Sequence, residues 1–155
     1  MEYIAGPTLH RRSECEAVLR TLPRWFGIES SLLEYALATE SHPTFAWVAN
    51  EKIDGFVSLK QHFPESWEIH CIAVQLNARA RGIGTKLLQH AEHWIAGQGA
   101  HLLQVKTLAA NNPSPEYAGT RRFYSRNGFI PVEVFPDLWS PSNPALQMAK
   151  AVNAV

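Results

Sequence analysis

Apolar and polar residues fall in blocks along this chain, and the spacing within each block predicts its element. Ile83, Leu87, Leu88, Ala91, Trp94 and Ile95 lie on one face at helical spacing, and Gly97 and Gly99 end that helix. Before it, Trp67 to Val74 is an apolar, β-branched run that reads as a buried strand. Phe45–Ala49 and Phe56–Phe63 flank the turn residues Asn50 to Gly55, which predicts a hairpin. Leu102, Leu103, Val105 and Leu108 mark a further strand, and a right-handed crossover sets it parallel to the strand ending at Val74. Ser114-Pro115-Glu116 opens a helix that runs from about Tyr117 to Arg126 and stops at Asn127-Gly128.

The two ends of the chain are less regular. Tyr3 to Leu9 reads as a short strand weakened near Gly6-Pro7. Ser13 and Glu16 have capping-box spacing ahead of Ala17, Val18 and Leu22, and Pro23 stops that helix. A second helix is predicted over Ser31 to Thr39. Phe129 to Phe135 is a strand, Pro136 to Pro144 a proline-rich loop carrying Trp139, and Ala145 to Ala149 a last strand. Three antiparallel strands therefore precede a strand–loop–helix–strand unit, the pattern of an α/β (α+β) fold. One domain over residues 1–155 is expected at this length.

Composition narrows the function classes. With 46% apolar and 18% charged residues the chain is globular, and a net charge of +0 argues against a nucleic-acid surface. No apolar run approaches membrane-spanning length, and the N-terminus lacks a signal-peptide pattern. Cys15 and Cys71 fall in predicted core elements and form no metal cluster, so no metal is expected and a reducing cytoplasm fits best. His90 and His93 occupy the polar face of their helix, without the glutamate spacing of a zinc protease.

The chemistry concentrates in Arg79-Ala80-Arg81-Gly82-Ile83-Gly84, between a strand and a helix N-terminus. That geometry aims free backbone N–H groups and the positive end of the helix dipole at one point, which suits a phosphate. Gly82 and Gly84 let an oxyanion approach the main chain, and the arginines add charge. The loop lacks the Gly-Lys-Ser/Thr ending of nucleotide hydrolases and the third glycine of the dinucleotide fingerprint.

The pattern Arg79-x-x-Gly82-x-Gly84 resembles motif A of the GNAT superfamily of N-acetyltransferases, and Phe123-Tyr124-x-x-x-Gly128-Phe129 resembles its second signature. Motif order and element order agree over nearly the whole chain. The resemblance implies a mixed, mostly antiparallel twisted sheet of about six to seven strands with helices on both faces. It also implies splayed fourth and fifth strands with acetyl-CoA in the V between them. By the same resemblance, Ile72, Ala73 and Val74 meet the pantetheine, and Arg79, Ala80, Arg81, Gly82, Ile83, Gly84 and Thr85 ring the pyrophosphate. Tyr124 stands where the family's general acid stands. The general base is Glu68, or His70 two residues on, both expected to face the same side as Ile72 and Val74. The family often places a pantetheine-binding asparagine where this chain has Tyr117; Asn111 from the preceding loop, or Tyr117 itself, is the substitute.

The acceptor side carries no readable code. Pro23 to Gly27 is either a packed corner or an acceptor wall built on Trp25 and Phe26, with Trp139 opposite. Near-neutral charge and aromatic walls point to a small-molecule amine acceptor, with a protein amine as the alternative. A silent acyl-CoA-binding module is the other open reading, and the family's habit of pairing through C-terminal strands leaves room for a homodimer.

Overall fold

In a computed structural model, described over residues 1–153, one seven-stranded sheet carries helices on both faces. The elements are β1 (Glu2–Ala5), α1 (Arg12–Arg20), α2 (Glu29–Ser41), β2 (Thr44–Ala49), β3 (Lys52–Phe63), β4 (Ser66–Val74), α3 (Ile83–Gly97), β5 (Leu102–Leu108), α4 (Pro115–Arg126), β6 (Ile130–Ser140) and β7 (Asn143–Ala151). Strand order is β1-β2-β3-β4-β5-β7-β6, and the β4–β5 pair alone is parallel. This is the mixed, mostly antiparallel sheet with helices on both faces that the resemblance implied.

Two apolar layers sandwich the sheet. One joins Phe45, Val57, Leu59, Trp67 and Ile69 to Ile83, Leu87, Leu88, Ala91 and Ile95 of α3, and to Tyr124 of α4. The other joins Ala46, Val48, Phe56, Cys71 and Ala73 to Cys15, Val18 and Leu19 of α1 and to Leu32 and Ala36 of α2. Burying each such aliphatic side chain contributes about 1.5–3 kcal/mol. The helical stripes read from the sequence are thus the surfaces that pin α3 and α1–α2 to opposite faces.

Several boundaries differ from expectation. The β2–β3 turn is two residues rather than six, with Asn50 and Glu51 at φ 52° and 67°, as a type I′ hairpin requires. The capping box does not form, because Arg11 is the N-cap of α1 and Ser13 lies inside the helix. Pro136 to Pro144 is no loop: β6 runs through to Ser140 and turns directly into β7. β6 is the sheet edge, where the missing N–H groups of Pro131 and Pro136 break no central ladder.

One irregularity sets up the site. Ser58 pairs with Cys71 and Leu59 with Ile69, leaving His70 as an extra residue in β4. This β-bulge bends the strand and resets its alternation. Ile69 and Ile72 consequently share the α3 face, while Cys71 and Ala73 face α1–α2.

Candidate active site

Pairing between β4 and β5 covers only Ser66–Ile69 against Leu102–Val105. Beyond it, β4 remains joined to β3 as far as Val74 opposite Gly55, and β5 to β7 as far as Leu108 opposite Ala145. The strands part at the bulge, and their facing edges present main-chain N–H and C=O groups that need partners. A cavity of about 1070 Å³ fills the opening, lined on its two sides by Ile69 to Val74 and by Val105 to Leu108.

The glycine turn closes one end of this cavity. Gly82 caps α3 at φ 77°, and Ala80 also takes positive φ, 66°, a conformation that costs a non-glycine residue about 1 kcal/mol or more. The Lys86 N–H donates to the Gly82 carbonyl at 3.1 Å as the first turn of α3 closes. The N–H groups of Ile83, Gly84 and Thr85 precede any such partner, and all three residues line the cavity. Gly84 is needed for closeness: an added Cβ would sit 3.2 Å from the Phe123 ring of α4. The two sequence signatures therefore touch.

Arg79 and Arg81 diverge. Arg79 lines the cavity, its guanidinium 4.5 Å from the Trp25 ring centre, and burial lowers its pKa from the ordinary guanidinium value. Arg81 is not among the lining residues; it donates to Glu2 at 2.7 Å, with Asp54 at 4.0 Å, and so ties the turn to β1 and β3.

The bulge also separates the residues expected on one side of β4. Ile72 and Val74 pack toward α3, whereas His70 meets Tyr35 of α2 at 5.3 Å and the His42 ring at 5.4 Å. Glu68 and His70 do not share a face with Ile72 and Val74, because the extra residue turns the strand over after Ile69. His70 lines the cavity, and its buried Nε2 has no hydrogen-bond partner among the described residues. Burial pushes its pKa below the ordinary imidazole value, with the neighbouring His42 adding to the effect. Glu68 lies outside the lining: its carboxylate accepts from Lys106 Nζ at 2.9 Å and meets His62 Nε2 at 2.6 Å.

Tyr124 reaches the cavity from the other face of the sheet. It is buried between the Phe123 and Phe129 rings, each 5.4 Å away, and burial drives its pKa well above the phenol range. A group so placed stays protonated at neutral pH and is available as a donor.

Trp25, Phe26 and Trp139 all line the cavity, as do Leu138, Ser140 and Asn143 of the β6–β7 hairpin. Tyr117 lines it too, but its hydroxyl donates to the Trp25 carbonyl at 2.7 Å, tethering the α1–α2 loop to α4. Asn111 stands outside the lining and Asn112 inside, where its amide donates to the Ser142 carbonyl at 2.9 Å. Tyr35, Lys106, Thr107 and Phe123 were not anticipated. A polar Lys106 between the apolar Val105 and Leu108, on a strand expected to part from its neighbour, was the available signal. Among the described residues the lining contains no aspartate or glutamate, and its cations are Arg24, Arg79, Lys106, Arg122 and Arg126.

A family model described as acetyltransferase (GNAT) family matches residues 12–129. The chain belongs to the GNAT family. Mycothiol acetyltransferase of Corynebacterium glutamicum is 33% identical over 75 residues, which are 48% of this chain and 25% of that protein. The chain thus matches about a quarter of the length of this curated relative. A solved GNAT-family chain from Desulfovibrio desulfuricans superposes with a TM-score of 0.87 at 16% identity, covering 99% of this chain and 100% of that one. An aminoglycoside 6′-N-acetyltransferase complexed with coenzyme A superposes at 0.76 with 20% identity over 99% and 98% of the two chains. No helix among the described residues is long and apolar enough to cross a membrane.

Proposed function

We propose that this chain is an acetyl-CoA-dependent N-acetyltransferase acting on a primary amine of a small molecule, by direct attack within a ternary complex. The observation that carries this reading is the parted β4–β5 edge running into the free amides of the glycine turn. An amide-rich pantetheine can pair with such an edge as an added strand does. A diphosphate suits the N–H groups of Ile83, Gly84 and Thr85, and Arg79 adds a cation beside them. The absence of any carboxylate from the described lining favours a polyanionic ligand further.

Bound acetyl-CoA supplies the acetyl thioester. His70 takes a proton from the incoming ammonium: the residue lines the cavity, its buried Nε2 is unpartnered among the described residues, and burial favours the neutral imidazole. The Val74 N–H donates to the developing oxyanion. Attack by the freed amine forms the C–N bond. As the C–S bond breaks, Tyr124 gives its proton to the departing sulfur and the second proton shed by the nitrogen restores the phenol, so the products are an amide and a thiol. His70 replaces Glu68 as base because Lys106 and His62 already hold that carboxylate. The two proton-transfer groups lie on opposite faces of the sheet, which suits attack from one side and departure on the other.

The test is release of coenzyme A with a panel of primary amines, together with the acetyl-CoA-dependent rise in melting temperature. Turnover by wild type and its collapse in Tyr124→Phe is the expected result. Acetyl-CoA that leaves the melting temperature unchanged overturns the reading.

A further inference from the structure

The cations of the cavity wall divide by what already holds them. Arg24 pairs with Glu116 at 3.0 Å, Lys106 pairs with Glu68 at 2.9 Å, and Arg79 lies over the Trp25 ring. Arg122 and Arg126 of α4 also line the cavity, and neither has an ion-pair or side-chain hydrogen-bond partner among the described residues. Their spacing of one helical turn brings both side chains to the same face of α4. Like charges at that spacing repel, and an anion shared between them removes the repulsion. No carboxylate of the described lining serves, so the balancing ion comes from solvent or from a ligand.

The pair sits beside the glycine turn. Phe123, next to Arg122 in the chain, packs so close to Gly84 that an added Cβ there would fall 3.2 Å from its ring. The Asn127 amide, one residue past Arg126, donates to Thr85 Oγ1 at 3.5 Å. The C-terminal half of α4 is thereby fastened against the first turn of α3, whose free N–H groups suit a diphosphate. Arg121 is engaged elsewhere: its guanidinium donates to the Leu108 carbonyl at 2.6 Å. Gly119 leaves bare main chain under Arg122, whose guanidinium nitrogen lies 3.7 Å from where a Cβ would stand. With the amides and Arg79 assigned to the diphosphate, these two guanidinium groups match a second anionic centre on the same ligand. Coenzyme A carries one, a phosphomonoester on its ribose with a charge of about −1.5 to −2 at neutral pH.

We propose that Arg122 and Arg126 form a subsite for a phosphomonoester dianion, filled by the 3′-phosphate of coenzyme A. Guanidinium groups grip phosphate oxygens through paired N–H donors, and two of them on one dianion discriminate by charge as well as shape. This inference rests on the N-acetyltransferase reading above. It names the residues by which the same site tells a coenzyme A thioester from its dephospho form.

Titration calorimetry tests it, with Kd measured for coenzyme A and for dephospho-coenzyme A in wild type and in Arg122→Gln/Arg126→Gln. Both arginines are exposed, so the double variant keeps the fold. Wild type should bind coenzyme A at least about tenfold more tightly than the dephospho form. In the double variant that ratio should fall to within about twofold, through weaker binding of coenzyme A alone. Arg79→Gln, by contrast, should weaken both ligands alike, because both carry the diphosphate. Equal affinities in wild type overturn the inference and leave the two arginines as a solvated helix face. A double variant that weakens both ligands equally, or leaves the ratio untouched, overturns it as well. Binding of neither ligand to wild type is a different result: the N-acetyltransferase reading itself then fails, and the subsite with it.

Discussion

Where the cavity meets the turn Arg79–Gly84 its wall is main chain; where it meets the α1–α2 loop and the β6–β7 hairpin its wall is Trp25, Phe26, Tyr35 and Trp139. The first end offers amides fixed by a helix terminus and a left-handed glycine. The second offers rings whose shape and charge depend on which side chains the loops happen to carry. A backbone wall recognises a chemical group common to many substrates. A side-chain wall is free to change with the acceptor, and the two meet at the bulge in β4.

Substitutions can test that division, beginning with the proton-transfer groups that straddle the junction. Tyr124→Phe should lower kcat about 10²-fold, the lower end of general-acid contributions, while leaving the KM for acetyl-CoA near wild type. Steady-state release of coenzyme A measures both.

His70→Gln should lower kcat/KM about tenfold. The pH dependence identifies its role more sharply. Because burial lowers the imidazole pKa from 6.5, His70 is neutral above that value and remains so somewhat below it. With an acceptor amine that is itself neutral at acidic pH, activity should hold through 6.5 and fall only lower, and the variant should lose that limb. Tyr124, with its pKa raised above the phenol range, should impose no loss on the basic side.

At the backbone end, Gly84→Ala pushes a methyl to 3.2 Å from Phe123. The expected cost is about 1 kcal/mol, read as a lower melting temperature and an acetyl-CoA KM raised severalfold, with acceptor preference unchanged. The smallest effect belongs to Arg81→Ala. Its side chain is half exposed and pairs with Glu2, so stability should fall by under about 1 kcal/mol and acetyl-CoA affinity should stay put. An Arg81→Ala effect on affinity as large as that of Arg79→Ala would erase the distinction drawn between the two arginines.

The same division decides what could be read from the sequence. The glycine turn was legible because few residue types satisfy a positive φ, an orphaned helix terminus and a 3.2 Å approach. The fold was legible because α3 and the hairpin strands carry strong periodicity. β4 misled for a physical reason. Apolar residues cover both faces of this central strand, so an extra residue at His70 leaves the hydrophobic run looking unbroken while reversing every side chain after it. The prolines of β6 likewise suggested a loop, since nothing local announces that a strand will lie at an edge. Tyr35 reaches the cavity only through tertiary placement, and its immediate neighbours in the chain gave no reason to single it out; Lys106 stood out only as a charged residue on an otherwise uncharged strand.

Ladder pairing with β5 stops at Ile69, and the supernumerary residue comes next. Excising position 70 would restore plain alternation from Trp67 to Val74 and leave every buried neighbour on its present side. The strand would then lose its bend and could continue zipping along β5. A shortened chain of this kind should fold yet have nowhere to lodge a thioester. One residue's worth of slack is what makes this sheet a receptacle.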